Sequence, residues 1–239
     1  MSDATLNNVK DADVVTVKAN RNQVRYDVHA TRNQPGMASV VIVPGTPEFN
    51  RFLISKAGSA VRGFNDVSIA ISTLFKTVDP IKHPELVTSI QEWFDTLHSE
   101  NDQLREKLVS FLQTITTDNN DPFLSSIHYT PYKYDPIQLN FNNANTMRFY
   151  KYIHDMNSHL TTMAKYNALG LLAISDYNVM AHNIIKSISM YVERVKRTLN
   201  VSRRNEGPYN PEVFIEKVKQ YKSVQAYIGA ELLSKSVKE

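Results

Sequence analysis

The 239-residue chain contains no cysteine. That excludes thiol nucleophiles, cysteine-ligated metals and a disulfide framework, and it fits a reducing compartment. Glycine is scarce: Gly36, Gly45, Gly58, Gly63, Gly170, Gly207 and Gly229 never group into a phosphate cradle, so no P-loop is present. Long apolar runs are missing as well. The longest, 168–174, is interrupted by Gly170 and is far too short to span a bilayer. The first eight residues show neither the basic nor the apolar region of a secretory signal. The expectation is a soluble, cytoplasmic protein without a membrane partner.

Recognisable catalytic patterns are absent too. His154 and His159 are five apart, and neither a His-Glu-x-x-His motif nor a histidine pair at i, i+4 occurs. Nothing resembles a nucleophile elbow. A Ser-His-Asp site built from distant residues would leave no local trace, so a hydrolase stays an open alternative. The expectation is a protein that is not an enzyme, with no metal, no cofactor and no catalytic residues.

What is present is globular in character. Hydrophobic residues make up 42% and charged residues 21%, enough apolar material for a core in one domain or two small ones. The formal net charge is only +3, but its sign is unevenly spread. From 85 to 121 eight acids face two bases, a net of −6. From 186 to 222 nine bases face four acids, a net of +5. Segregation of this kind points to a polyanion partner, although solvated helix faces give the same pattern.

Along the chain, residues 1–12 read as a flexible tail. Residues 13–18 and 24–30 alternate weakly and suggest a hairpin carrying Arg21, Arg25 and Arg32 on a basic arm. Residues 38–43 read as a buried strand. Thr46-Pro47-Glu48 carries helix-start signals, and that helix extends to Asp79-Pro80. A second opens at His83-Pro84-Glu85, and its stripe from Leu86 through Trp93, Leu97, Leu104, Leu108 and Leu112 to Ile115 keeps helical spacing over about thirty residues. This stripe calls for burial against the preceding helix or a dimer mate. A loop is expected over 116–126. Later helices are expected at 144–166, at 175–200 with Ser175 or Asp176 as cap, and at 211–234. The expected division is 1–12, 13–126, 127–205 and 206–239, joined as one intertwined dimeric unit.

The segment around which this organisation turns is 133–142. Ile137, Leu139 and Phe141 alternate with Gln138, Asn140 and Asn142, as in a half-buried strand. The outward residues are amides, which carry both donors and acceptors and can pair bidentately with adenine. A strand with an amide face followed by two helices is the order of a ribbon-helix-helix DNA reader. An edge strand whose amides merely face water is the plainer alternative. In the DNA-reading case Gln138, Asn140, Asn142 and Lys133 are the candidate base contacts. Ser175, at a helix N-terminus, and Arg194, Arg197, Arg203, Arg204, Arg21, Arg25 and Arg32 are the candidate phosphate contacts. A single strand has unpaired edges, so two copies would pair their strands as a homodimer.

Three stretches carry a family resemblance: the acidic helix 84–115, the segment Pro131-Tyr132-Lys133-Tyr134-Asp135-Pro136-Ile137-Gln138-Leu139-Asn140-Phe141-Asn142-Asn143-Ala144, and the helix end Val192-Glu193-Arg194-Val195-Lys196-Arg197. Over about 60 to 203 the chain resembles a protein family of integrating conjugative elements and conjugative plasmids. The resemblance implies a cytoplasmic, dimeric activator of transfer-gene transcription that binds double-stranded DNA. The implied core is ribbon-helix-helix; with the long helices and small N-terminal β element read above, the expected fold is α+β and mainly helical, its first helix longer than in minimal ribbon-helix-helix proteins. RNA polymerase is a candidate partner of such an activator. A non-enzymatic adaptor or structural protein of a conjugation apparatus, docking through the acidic helix, is the alternative.

Overall fold

Thr46 starts the first helix. Its hydroxyl oxygen accepts the Phe49 N–H at 3.3 Å, Pro47 fills the first helical position, and Glu48 places an acid at the positive end of the helix dipole. The computed structural model describes residues 36–118, 126–201 and 209–233. Within it the elements run β1 (Ala38–Ile42), α1 (Pro47–Thr77), α2 (Pro84–Asp118), β2 (Ile137–Phe141), α3 (Ala144–Ala168), α4 (Ile174–Thr198), α5 (Glu212–Tyr221) and α6 (Val224–Tyr227), with a π-helical turn at Ile228–Leu233. α1 keeps its helical course through Gly58, whose φ of 70° is open to a residue without a Cβ. The proposed hairpin over 13–30 lies outside the described residues.

The apolar stripes explain the packing. α3 lies between α2 and α4, α1 packs on α4 and α3, and α5 and α6 cover α2. The expected stripe of α2 is buried at Leu86, Ile90, Trp93, Leu97, Leu108, Leu112 and Ile115. Its main cover is α3, with a touch on α1 through the Phe75–Phe94 rings at 6.0 Å. The preceding helix is therefore a minor neighbour, and the stripe is buried without a dimer mate. Phe64, Phe149 and Tyr191 continue the core as a T-shaped contact at 5.7 Å and a stack at 4.1 Å. Each such ring contributes about 1.5–3 kcal/mol when fully buried.

Four expectations need correction. The strand over 38–43 is not buried: Val41 is 52% and Val43 49% exposed, because only one face of β1 meets the core. The loop expected from Thr116 begins later, since α2 runs on to Asp118. Neither Ser175 nor Asp176 caps α4. Ala173 takes that position with no side-chain bond, and both polar residues fall in the first turn. The helix expected over 211–234 is broken. Lys222 adopts φ 66°, a left-handed value that ends α5, and Ser223 restarts the chain by accepting the Ala226 N–H at 3.1 Å.

The sheet consists of β1 and β2, paired antiparallel. Ser39 lies opposite Asn140, Val40 opposite Leu139 and Val41 opposite Gln138. Asn157 of α3 fixes the exit from β1. Its side-chain oxygen accepts the Gly45 N–H at 3.1 Å and its side-chain amide donates to the Val43 carbonyl at 2.9 Å. Gly45 allows this close approach: a Cβ there would sit 1.9 Å from Thr161 Oγ1.

Candidate nucleic-acid interface

Residues directly opposite in an antiparallel pair share a face of the sheet. Ala38, Val40, Ile42, Ile137, Leu139 and Phe141 form the inner face. Leu139 and Ile42 are buried, and Phe141 meets the Tyr150 ring edge-on at 6.0 Å. Ser39, Val41, Gln138 and Asn140 form the outer face. The pairing keeps the two faces read along 137–141 but not their exposure: Leu139 and Asn140 are both buried, while Gln138 and Phe141 are half-buried, so the amide face is not the open one expected. The regular strand is shorter than the expected span: Lys133 lies upstream in exposed chain without regular secondary structure, and Pro136, which has no N–H to give a ladder, directly precedes the first strand residue.

The amides differ in what they can offer. Asn142 is exposed just past the strand, and Gln138 is half-buried. Asn140 is only 9% exposed. Its side-chain oxygen accepts from Gln138 Nε2 at 3.3 Å, and its backbone carbonyl accepts from Ser68 Oγ of α1 at 3.2 Å. β2 thus runs between β1 and α1. Strand pairing between two copies at β2, as in a ribbon-helix-helix dimer, is replaced here by pairing within the chain. The physical reason is the apolar inner row of Ala38, Val40 and Ile42, which matches Phe141, Leu139 and Ile137. Ser39 and Val41 are the half of the ribbon face that the sequence reading missed. The signal lay in the apolar run at 38–43, which gave a strand but not its partner.

The helix after the ribbon is held at its start. Asn143 caps α3 by accepting the Asn145 N–H at 2.8 Å. Asn145 and Gln91 of α2 exchange a reciprocal amide pair at 3.1 and 3.2 Å. Gln91 also donates to Asp95 at 3.1 Å, and Asp95 pairs with Arg148 at 2.5 Å. Deeper on α2, His98 is buried against Tyr191 with ring centroids 5.6 Å apart. Burial, helped by the nearby Arg148 charge, lowers the His98 pKa to about 4.

The proposed phosphate contacts do not form one patch. Ser175 is exposed at the start of α4, next to Asp176. Arg194 forms a two-pronged pair with Glu100 of α2, one prong at 3.2 Å. Arg197 donates to the Leu232 carbonyl at 2.6 Å. Lys196, which the reading passed over as a site residue, pairs with Asp66 at 3.2 Å. Part of the positive run is therefore matched by acids and carbonyls of neighbouring elements. Arg203, Arg204, Arg21, Arg25 and Arg32 lie outside the described residues. Among the described residues no cluster of three or more acidic or histidine side chains could hold a metal, and no helix is long and apolar enough to cross a membrane.

The fold is mainly helical, with one small antiparallel ribbon leading into a helical pair. Among solved structures it is similar to AcaB from uropathogenic E. coli: TM-score 0.55 at 9% identity, covering 81% of this chain and 89% of that one. At that identity the likeness is one of fold. No protein-family model and no curated protein sequence matches the chain.

Proposed function

We propose that this chain is a sequence-specific, double-stranded-DNA-binding activator of conjugative transfer genes, acting in the cytoplasm as a homodimer and without catalytic activity. The observation that carries the reading is the outer face of the β1–β2 ribbon. It aligns Ser39, Val41, Gln138 and Asn140, continues into exposed Asn142, and leads directly into α3 and α4. A two-stranded ribbon is of a size the major groove admits, and amides there can pair with adenine. The family resemblance of 131–144 and the AcaB-like fold support the same reading. Because each chain completes a ribbon by itself, the homodimer brings two ribbons to two half-sites instead of building one between them. Gln138 and Asn142 are the principal base contacts, with Asn140 holding Gln138 and Lys133 contacting the flank. Ser175, Arg194 and Arg197, together with Arg203, Arg204, Arg21, Arg25 and Arg32, supply phosphate contacts. Arg194 and Arg197 exchange their present partners for phosphate on binding. RNA polymerase is the further partner an activator requires.

Selection of bound duplexes from random DNA, run with wild type and a Gln138→Ala/Asn142→Ala variant, tests this. Wild type is expected to enrich a palindromic consensus, and the variant to lose it at a cost of about 1–3 kcal/mol per bidentate contact. No enrichment at low salt would end the DNA reading and leave the adaptor reading, with partner capture through α2 as its test.

A further inference from the structure

A second feature lies away from the ribbon, where the turn between α1 and α2 meets the end of α5. A cleft of about 580 Å³ opens there, lined by Lys82, His83, Pro84, Glu85, Leu86, Val218, Lys219 and Lys222. Three ammonium groups and an imidazole share this wall with one carboxylate. Lys219 Nζ lies 3.3 Å from His83 Nε2. An ammonium only donates, so this contact requires Nε2 to be the accepting nitrogen. Lys82 is drawn toward Asp79 at 3.5 Å, and Asp79 also accepts the Ile81 and Lys82 N–H groups at 2.9 and 3.2 Å. The turn therefore has a fixed shape.

Two further details favour an anion. The cleft sits at the start of α2, a 35-residue helix, and the first-turn N–H groups of Glu85 and Leu86 have no carbonyl one turn earlier within the helix to bond to. Across the cleft, Lys222 is held at φ 66°, a conformation costly for a residue with a Cβ and normally taken by glycine or asparagine. Asparagine or glycine would end α5 with less strain, whereas lysine adds a cation at the rim. Buried Leu86 and Val218 provide an apolar floor.

We infer that this cleft binds the phosphate group of a nucleotide-sized ligand. The phosphate meets Lys219, Lys222 and the first turn of α2, and the apolar part rests on Pro84, Leu86 and Val218. The volume lies within the range of small-molecule sites. A free nucleotide and a DNA backbone phosphate offer the same chemistry, and the inference does not depend on the ribbon reading DNA.

The test follows backbone amide resonances of the full chain during titration with inorganic phosphate, AMP, adenosine and a short DNA duplex. AMP is expected to shift Glu85, Leu86, Lys219 and Lys222 saturably, with adenosine binding at least about tenfold more weakly. Lys219→Gln with Lys222→Asn removes two charges while asparagine relieves the left-handed turn, and is expected to weaken AMP by roughly tenfold or more with a melting temperature no lower than that of wild type. Glu85→Gln is expected to tighten it. Shifts at these amides with duplex but not with AMP would assign the phosphate to DNA and overturn the nucleotide-sized ligand. Absence of saturable shifts with AMP, phosphate and duplex at low salt would overturn the inference, as would AMP shifts that the double variant leaves unchanged.

Discussion

The clasp behind the ribbon and the interior between α2 and α4 both bury polar groups, but they treat them differently. At the clasp, Asn157 uses both ends of its amide, on the Gly45 N–H and the Val43 carbonyl. In the interior, His98 Nε2, Asn101 Nδ2 and the Tyr191 hydroxyl find no hydrogen-bond partner among the described residues. A paired buried amide positions what it holds, whereas an unpaired buried group retains a desolvation cost of about 1–3 kcal/mol. The clasp therefore specifies where the chain leaves β1, and the interior carries a cost that substitution can remove and acid can deepen.

The largest expected effect comes from breaking the clasp. Gly45→Ala would drive a Cβ to 1.9 Å from Thr161 Oγ1. The expected loss is about 3 kcal/mol in urea unfolding, the upper end for overpacking. Thr161→Ala in the same chain should restore more than half of it, because the nearest clashing atom is gone. Recovery of nothing would mean that the backbone bonds to Asn157, not the space beside Thr161, decide the position.

A comparable effect is expected in the interior on acidification. His98 titrates near 6.5 in the unfolded chain and is held at about 4 in the fold. A depressed histidine leaves stability intact above the unfolded value. As pH falls from 6.5 toward 4, the unfolded chain takes up the proton first and stability drops, by up to about 3 kcal/mol. His98→Phe, which keeps a ring against Tyr191, should flatten that stretch of the stability profile. An unchanged slope in the variant would assign the acid sensitivity to other groups.

These two regions also show what could be read from sequence. Helix starts at Thr46-Pro47 and Pro84, the stripe of α2 and the two faces along 137–141 are local patterns, and the fold keeps them, although Asn140 on the outer face is buried. Partners between distant segments are not local. That 38–42 pairs with 137–141 depends on two apolar rows meeting across 94 intervening residues. That Asn157 reaches Gly45 depends on how α3 lies across the exit from β1. The same holds for Arg194 and Arg197, which read as free cations in a basic run, while Glu100 and the Leu232 carbonyl come from elsewhere in the chain. The break at Lys222 escaped the periodicity because it is a backbone event inside an unbroken amphipathic pattern.

A smaller effect separates paired from unpaired polar groups directly. Burial raises the Tyr191 pKa, and its hydroxyl has no partner among the described residues while its ring stacks on Phe149 at 4.1 Å. Tyr191→Phe keeps the ring and removes only the buried hydroxyl. Stability is expected to stay level or rise by up to about 1 kcal/mol. Tyr150→Phe, by contrast, deletes a hydroxyl that donates to the Phe64 carbonyl at 3.2 Å and should cost about 1 kcal/mol. Equal losses at both positions, measured by urea unfolding, would remove the distinction.

The smallest effect on stability is expected at the surface, where it bears on the proposed DNA binding. Arg194 and Glu100 are both close to half exposed, so their pair contributes only a few tenths of a kcal/mol to folding. Glu100→Gln removes the countercharge and leaves Arg194 free to meet phosphate. The melting temperature should barely move, while affinity for any duplex rises and the salt dependence steepens by up to about one counterion. Arg194→Gln should act in the opposite direction, flattening the salt dependence without altering the selected consensus, because a phosphate contact positions DNA and carries no base identity. A salt slope untouched by either change would place the phosphate contacts away from α4, and Arg21, Arg25 and Arg32 would be the next cations to replace.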